Sequence, residues 1–255
     1  PITIRRTRHI MDPAFRPLLP ADTFRFACHP QVPCFNQCCR DLTQHLTPYD
    51  ILRLKQALGL SSGELLSQYT LESTGPRSGL PIISLRPVGP ERLCPFVADD
   101  GCRVYLDRPA SCRTYPLARA VGIHPQSGEL VEQFALLREP HCRGFATERK
   151  QAAAEWVADQ GLSPYNQMND RLLELIQLNN RRAGGPLTPT ESAHFRLALY
   201  DLDEFRSRLT AGELPDAGLP AAAIRTALDG DADDLLQFAL RWTRRIIFER
   251  PPQSR

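Results

Sequence analysis

The sequence predicts an α+β protein, with a small, irregular, cysteine-rich sheet region and its helices followed by an all-helical C-terminal region. Three observations carry this expectation. All eight cysteines lie between residues 28 and 142. Short segments of strand-like composition, separated by Gly, Pro or Asp, fill residues 81–137. From residue 147 apolar residues recur at helical spacing. The expected division is a metal-binding domain at 1–145 and a helical region at 146–255.

Taken in order, residues 1–27 are rich in Pro and Arg and read as an extended arm, and 28–39 as a cysteine-dense loop. Thr47 as N-cap, Pro48 at the first helical position, Asp50 in the first turn and Gly59 after the last predict a helix between them. Ser61 and Glu64 form a capping box for a second helix running to about residue 70. Gly75, Pro76 and Gly79 predict a loop at 71–80. Strands are expected at 81–88, 93–97, 102–106, 119–123 and 130–137, with one helical turn at 108–113. Helices are expected at 147–160, 164–182, 188–200, 201–209, 220–228 and 233–249, with breaks at Gly184-Gly185-Pro186 and 212–220. In the last helix Leu235, Phe238, Ala239, Trp242 and Ile246 form a core-facing stripe.

Composition narrows the function. A chain of 255 residues, 42% apolar, can bury one substantial core or two smaller ones. With 31 basic and 29 acidic residues, net charge +2, it shows no clustered basic excess, and neither nucleic acid nor a membrane is an expected partner. Arg241, Arg244 and Arg245 read as a solvated helix face. No apolar run approaches the roughly 18–20 residues of a membrane span. The polar start, Pro1-Ile2-Thr3-Ile4-Arg5-Arg6, does not resemble an export signal, so a cytoplasmic location with reduced thiols is expected. Eight cysteines there point to metal or redox chemistry rather than to four disulfides.

The thiols fall into groups: Cys28, Cys34, Cys38 and Cys39; then Cys94, Cys102 and Cys112; then Cys142 after His141. All eight are candidate metal ligands, since thiolates select zinc, Cu(I) or iron–sulfur clusters over oxygen-seeking cations. Paired Cys-x-x-Cys knuckles are absent, so the reading rests on number, clustering and compartment. Cys38 and Cys39 are adjacent, and neighbouring side chains diverge by about 100° on a helix and about 180° on a strand. They serve different atoms of a cluster, or two sites, or one ligates while the other packs.

These residues resemble a known family. Phe26-x-Cys28, Cys34-x-x-x-Cys38-Cys39 and Leu46-Thr47-Pro48-x-Asp50-x-x-Arg53-Leu54 match the YkgJ-type cysteine-cluster proteins, described as zinc- or iron-chelating domains. So do Cys94-Pro95-Phe96, Gly101-Cys102-x-Val104-Tyr105-x-x-Arg108-Pro109-x-x-Cys112-Arg113-x-Tyr115-Pro116 and Cys142-x-Gly144. The resemblance covers residues 24–145, and the wide Cys28–Cys34 spacing looks like the flagellin lysine-N-methylase branch. It implies zinc or an iron–sulfur cluster of the 4Fe-4S type. Through the methylase branch it also implies methyl transfer from S-adenosylmethionine to a protein or peptide. Against that stand a non-enzymatic chelator or carrier, and an interaction module stapled by structural zinc.

Other residues have plainer readings. Arg108, Arg113, Tyr105 and Tyr115 lie beside candidate ligands; the arginines either offset thiolate charge or bond loop carbonyls. His29 and His141 adjoin cysteines and read as exposed or supporting groups. Asp99-Asp100 reads as a turn, and His45, His124 and His194 have no partner identifiable from sequence.

Overall fold

The computed structural model describes residues 15–41, 43–76, 78–123, 130–182 and 185–249; residues 1–14 of the expected arm, His124 and Gly184 lie outside them. In chain order the elements are β1 (Phe15–Leu18), β2 (Thr23–Arg25), a 3-10 turn at Gln37–Cys39, β3 (His45–Leu46), α1 (Pro48–Leu58) and α2 (Ser62–Tyr69). Then come β4 (Thr70–Thr74), β5 (Pro81–Leu85), β6 (Val97–Ala98), β7 (Gly101–Cys102), a 3-10 turn at Tyr105–Asp107 and α3 (Ala110–Thr114). β8 (Leu117–Ile123), β9 (Leu130–Leu137), β10 (Lys150–Ala152), α4 (Ala153–Asp159) and α5 (Ser163–Asn180) follow. The remainder is α6 (Pro189–Tyr200), α7 (Leu202–Ala211), α8 (Ala221–Asp229) and α9 (Ala232–Thr243), which continues as a π-helical turn at Arg244–Glu249. The α+β class is as expected. Two compact units arise, one from the described residues of Pro1–Cys38 and Ser111–Leu162, the other from those of Cys39–Ala110 and Ser163–Arg255. Each expected region, 1–145 and 146–255, contributes to both.

In the first unit β8 and β9 form an antiparallel hairpin and β1 adds to the far side of β9, with Arg16 opposite Leu136. β2 pairs with β10, placing Arg25 opposite Lys150. Its core is Leu18, Phe24, Phe26, Leu117, Leu136 and Trp156. Phe26 is the hub, meeting Phe145, Trp156 and Tyr115 edge-on at 5.2, 5.5 and 5.7 Å between ring centroids. The Trp156 indole N–H donates to the Thr114 carbonyl at 3.1 Å, satisfying the polar edge of a buried ring.

Two expectations fail here for one reason, strand pairing between distant segments. The arm at 1–27 contains β1 and β2. The helix expected at 147–160 begins only with α4, because Lys150–Ala152 pair with β2 and buried Gln151 donates to the Phe26 carbonyl at 2.9 Å. Glu155, accepting the Ala152 N–H at 2.7 Å, then opens the helix.

The second unit is mainly helical. Thr47 caps α1 with a reciprocal box to Asp50, and Gly59 closes it in the left-handed conformation, φ 64°. Ser61 with Glu64, and Thr188 with Glu191, cap α2 and α6 likewise. α9 buries Leu235, Phe238, Ala239 and Trp242, and the turn after it buries Ile246, as their spacing predicts. Arg241, Arg244 and Arg245 are exposed, and Arg244 and Arg245 each pair with Glu249.

Part of the loop expected at 71–80 is strand: residues 71–74 belong to β4, which pairs with β5 in a sheet ordered β3-β5-β4, and beyond it the Gly79 N–H bonds the Gly75 carbonyl. β4 buries only Thr70, so no alternation marked it. The strands expected at 93–97 and 102–106 shrink to the two-residue β6 and β7 around an Asp99-Asp100 turn, and Tyr105–Asp107 is a 3-10 turn.

Between α1, α2 and α7, Asp203 accepts from the Lys55 ammonium at 2.6 and 2.8 Å and from the Ser62 N–H at 2.6 Å. Burial pushes the Asp203 carboxyl up, but Lys55 and Ser62 outweigh it and hold it below its ordinary value. A folded-state pKa below the unfolded one stabilises at neutral pH, and that contribution is lost as pH falls below about 4. Because the Asp203 side chain is 42% exposed, the contribution is small, below about 1 kcal/mol. Denaturant unfolding between pH 6 and pH 3 should show Asp203→Asn with a shallower acid loss than the parent. An unchanged slope would remove the carboxylate from this account.

Candidate metal centre

The adjacent pair Cys38-Cys39 straddles the division between units. Cys28, Cys34, Cys38, Cys112 and Cys142 belong to the first, and Cys39, Cys94 and Cys102 to the second. No disulfide joins any of the eight. The loop that begins at Cys28 is a run of tight turns: Val32 N–H bonds the His29 carbonyl, Phe35 the Val32 carbonyl and Gln37 the Cys34 carbonyl, at 2.9, 2.9 and 3.0 Å. Asn36 takes the left-handed conformation, φ 66°, which its short polar side chain tolerates.

In the first unit the fold brings Cys34 and Cys142 together from opposite ends of the cysteine-rich stretch, close enough that Cys34 makes ionisation of Cys142 harder. Two backbone N–H groups lie beside the pair: that of Arg143 reaches the Cys34 sulfur at 3.0 Å, and that of Gly144 favours the ionised form of Cys142. Burial pushes the Cys142 thiol up and Cys34 adds to that, while the neighbouring Tyr115 hydroxyl and the Gly144 N–H pull the other way. The Tyr115 phenol is pushed up by burial first, then by Cys142 and Glu139. Its hydroxyl is buried and has no hydrogen-bond partner of standard geometry among the described residues. Thus two soft donors, two N–H groups suited to hold negative charge on sulfur, and an orphaned hydroxyl converge here.

Gly144 explains the last element of the Cys142-x-Gly144 motif. Its carbonyl accepts the Ala27 N–H at 2.9 Å, fixing the segment that leads into Cys28. A Cβ there would lie 2.6 Å from Phe26 Cε2 and 2.7 Å from the Ala27 carbonyl oxygen. Gly144→Ala should therefore destabilise the first unit by about 1–3 kcal/mol through overpacking. Thermal unfolding of the variant measures this, and a parent-like midpoint would show that the contact relaxes freely.

In the second unit the Cys94 N–H bonds the Cys39 carbonyl at 2.8 Å, and the Val97 N–H bonds the Cys94 carbonyl at 3.2 Å. Val97 pairs with Cys102 across β6 and β7, so these three cysteines lie on one continuous stretch of bonded backbone. Cys94 and Cys102 also pack against that unit's core. Cys28, Cys38 and Cys112 are exposed. Among the described residues, no three His, Cys, Asp or Glu side chains stand together in a group that could hold one ion.

The other motif residues hold backbone. Asp50 caps α1 and also accepts the Ala110 N–H at 2.8 Å, while Arg53 grips Asp107 at 2.5 Å. Arg108 donates to the Tyr105 carbonyl and lies 3.9 Å over its ring, and Arg113 donates to the Gln160 carbonyl at 2.8 Å. Both arginines therefore bond carbonyls. His29 bonds Gln31 and His141 faces Glu139 at 3.7 Å, both at the surface; His45 bonds Ser84, and His194 meets the Trp242 ring edge-on. The structural use of Asp50 at Ala110, sixty residues on, has no sequence signal beyond its place in the motif.

Residues 27–143 match the family model of the CxxCxxCC domain, described as a "putative zinc- or iron-chelating domain". No curated protein and no solved structure matches the chain. Among the described residues no helix is long and apolar enough to cross a membrane.

Proposed function

We propose that the chain holds zinc or an iron–sulfur cluster on cysteine thiolates, with Cys34 and Cys142 as donors of one centre, a reading supported by the match of residues 27–143 to the zinc- or iron-chelating domain model. The observation that carries this reading is the convergence of those two thiols under the Arg143 and Gly144 N–H groups. Two close thiols penalise one another's ionisation. A bound cation reverses that penalty, since a coordinating thiol is deprotonated outright. The N–H donors then hold the sulfur charge and orient the ligands. Cys28, Cys38 and Cys112 are the further donors offered by the first unit, on turns and a short helix whose backbone can bend around an ion. Cys39, Cys94 and Cys102 are the donors offered by the second. Bound metal supplies Lewis acidity if zinc, or electron transfer if a cluster.

A specific observation favours a structural share in this role. Among the described residues the first unit's core holds six buried apolar side chains, against thirty-three in the second. So small a core gives little stability by itself, and metal supplies such domains with folding energy. Methyl transfer with S-adenosylmethionine and a protein or peptide substrate rests on the methylase-branch resemblance alone, and the family match does not reach that branch.

Anaerobic purification followed by metal and acid-labile sulfide analysis tests the proposal. Stoichiometric zinc in a colourless protein identifies the zinc form. Iron with equal sulfide, and absorption near the blue edge of the visible spectrum, identifies the cluster. Protein that takes up neither metal on reconstitution would overturn it.

A further inference from the structure

The first unit contains a cavity of about 350 Å³ between its three-stranded sheet and the β2–β10 ribbon, floored by Phe24 and Leu136. Four cations line it: Arg16 from β1, Arg25 from β2, Lys150 from β10, and Arg138 just beyond β9. The strand registers make this gathering unusual. Arg25 stands directly opposite Lys150 across β2 and β10, a like-charge pair that is unfavourable on a strand surface. Arg16 stands opposite Leu136, and Arg138 is two residues further along the same face. Glu148, 92% exposed, is the carboxylate that meets Arg25, at 3.2 Å. Arg138 lies over the Phe145 ring, 4.6 Å from its centroid. Among the described residues Arg16 and Lys150 have no carboxylate partner.

Four cations around one concavity, with a single solvated carboxylate beside them, repel one another. All four side chains are exposed, so water and salt screen the repulsion only in part, and an anion in the cavity turns it to attraction at each of them. A volume of this size falls at the small end of ligand pockets. We propose that this cavity binds a small organic polyanion, a compound carrying two or more phosphate or carboxylate groups. Arg16 and Arg138 hold one anionic end and the Arg25–Lys150 pair holds the other. No cysteine lines the cavity, so failure of the metal reading leaves this proposal standing, and the tests use the metal-loaded chain.

Thermal unfolding and calorimetric titration of the full chain test this. The two probes are a sugar bisphosphate and benzene tricarboxylate, neither of which wraps a metal ion as citrate does. Sulfate at matched ionic strength controls for screening, and metal content is measured before and after. Saturable binding of one probe, with a raised unfolding midpoint absent in sulfate, is expected, and the better probe decides between phosphate and carboxylate recognition. Arg16→Gln with Lys150→Gln should weaken binding at least tenfold while leaving metal content unchanged and without lowering the ligand-free midpoint. Arg25→Gln alone, should the double variant not fold, is expected to weaken it several-fold. No saturable binding of either probe would overturn the proposal, as would equal affinity in the variants. Binding of a short single-stranded oligonucleotide ten times tighter than either probe would overturn it in favour of a nucleic-acid surface.

Discussion

Asp50→Ala is expected to destabilise the second unit by about 3–5 kcal/mol. Asp50 is 1% exposed and accepts three hydrogen bonds, from the Thr47 N–H at 2.8 Å, the Thr47 hydroxyl at 2.9 Å and the Ala110 N–H at 2.8 Å. Truncation removes the capping box of α1, worth about 1 kcal/mol. It also removes the acceptor of the buried Ala110 N–H and of the half-buried Thr47 hydroxyl, together about 2–4 kcal/mol. The sum is a large share of the roughly 5–15 kcal/mol that holds a typical domain folded. Asp50→Asn keeps an acceptor for Ala110 and should cost about half as much, because its amide then turns a donor toward Thr47. Urea unfolding gives the energies, and hydrogen exchange at the Ala110 amide gives the local effect. A loss below about 1 kcal/mol with unchanged exchange at Ala110 would show that the second contact is idle.

Asp50 also shows where a linear reading stops. Thr47-Pro48-x-Asp50 announces a helix start because capping is a local event among neighbouring residues. The same holds for Ser61 with Glu64 and Thr188 with Glu191, and for the Leu235 to Ile246 stripe, whose period belongs to one helix. The bond from Asp50 to Ala110 joins two local events far apart in sequence, and nothing in either announces it. Strands suffer most from this. β1, β2 and β10 owe their existence to partners over a hundred residues away, and β10 overrode a respectable helical pattern.

The site divides in the same way. Eight cysteines, their confinement to 28–142 and the awkwardness of Cys38-Cys39 are visible in the chain. Which thiols meet is a matter of topology, and the pairing of Cys34 with Cys142 could not be read from their spacing. For the motif's arginines the sequence left two readings, thiolate charge or loop carbonyls, and Arg108 and Arg113 bond carbonyls. The cationic cavity was hidden by a near-neutral composition, because Arg16, Arg25, Arg138 and Lys150 are scattered until β1, β2, β9 and β10 assemble.

Replacing both Cys34 and Cys142 by Ser should abolish metal binding at the first unit and unfold that unit while the second stays folded. The asymmetry follows from the cores. Leu54, Phe205, Ala198 and Ala239 are fully buried within the second unit's large cluster, whereas the first unit relies on a few rings around Phe26. Structural zinc contributes about 10–16 kcal/mol of apparent binding energy in small finger domains at neutral pH, well beyond what six buried side chains provide. Serine keeps the volume and the acceptor, so loss of packing does not explain the outcome, but its alkoxide is far too basic to replace thiolate near pH 7. The metal-loaded parent should unfold in two steps, and chelation should erase the first-unit step, as the double substitution does. Single variants should each lose affinity steeply, because one donor cannot hold the ion alone. Metal analysis with far-ultraviolet dichroism, and hydrogen exchange in β8 and β9 against α6 and α9, separates the two units. Should the double variant keep full metal content and both unfolding steps, Cys34 and Cys142 are a half-buried thiol pair and the donors must be sought among the other six.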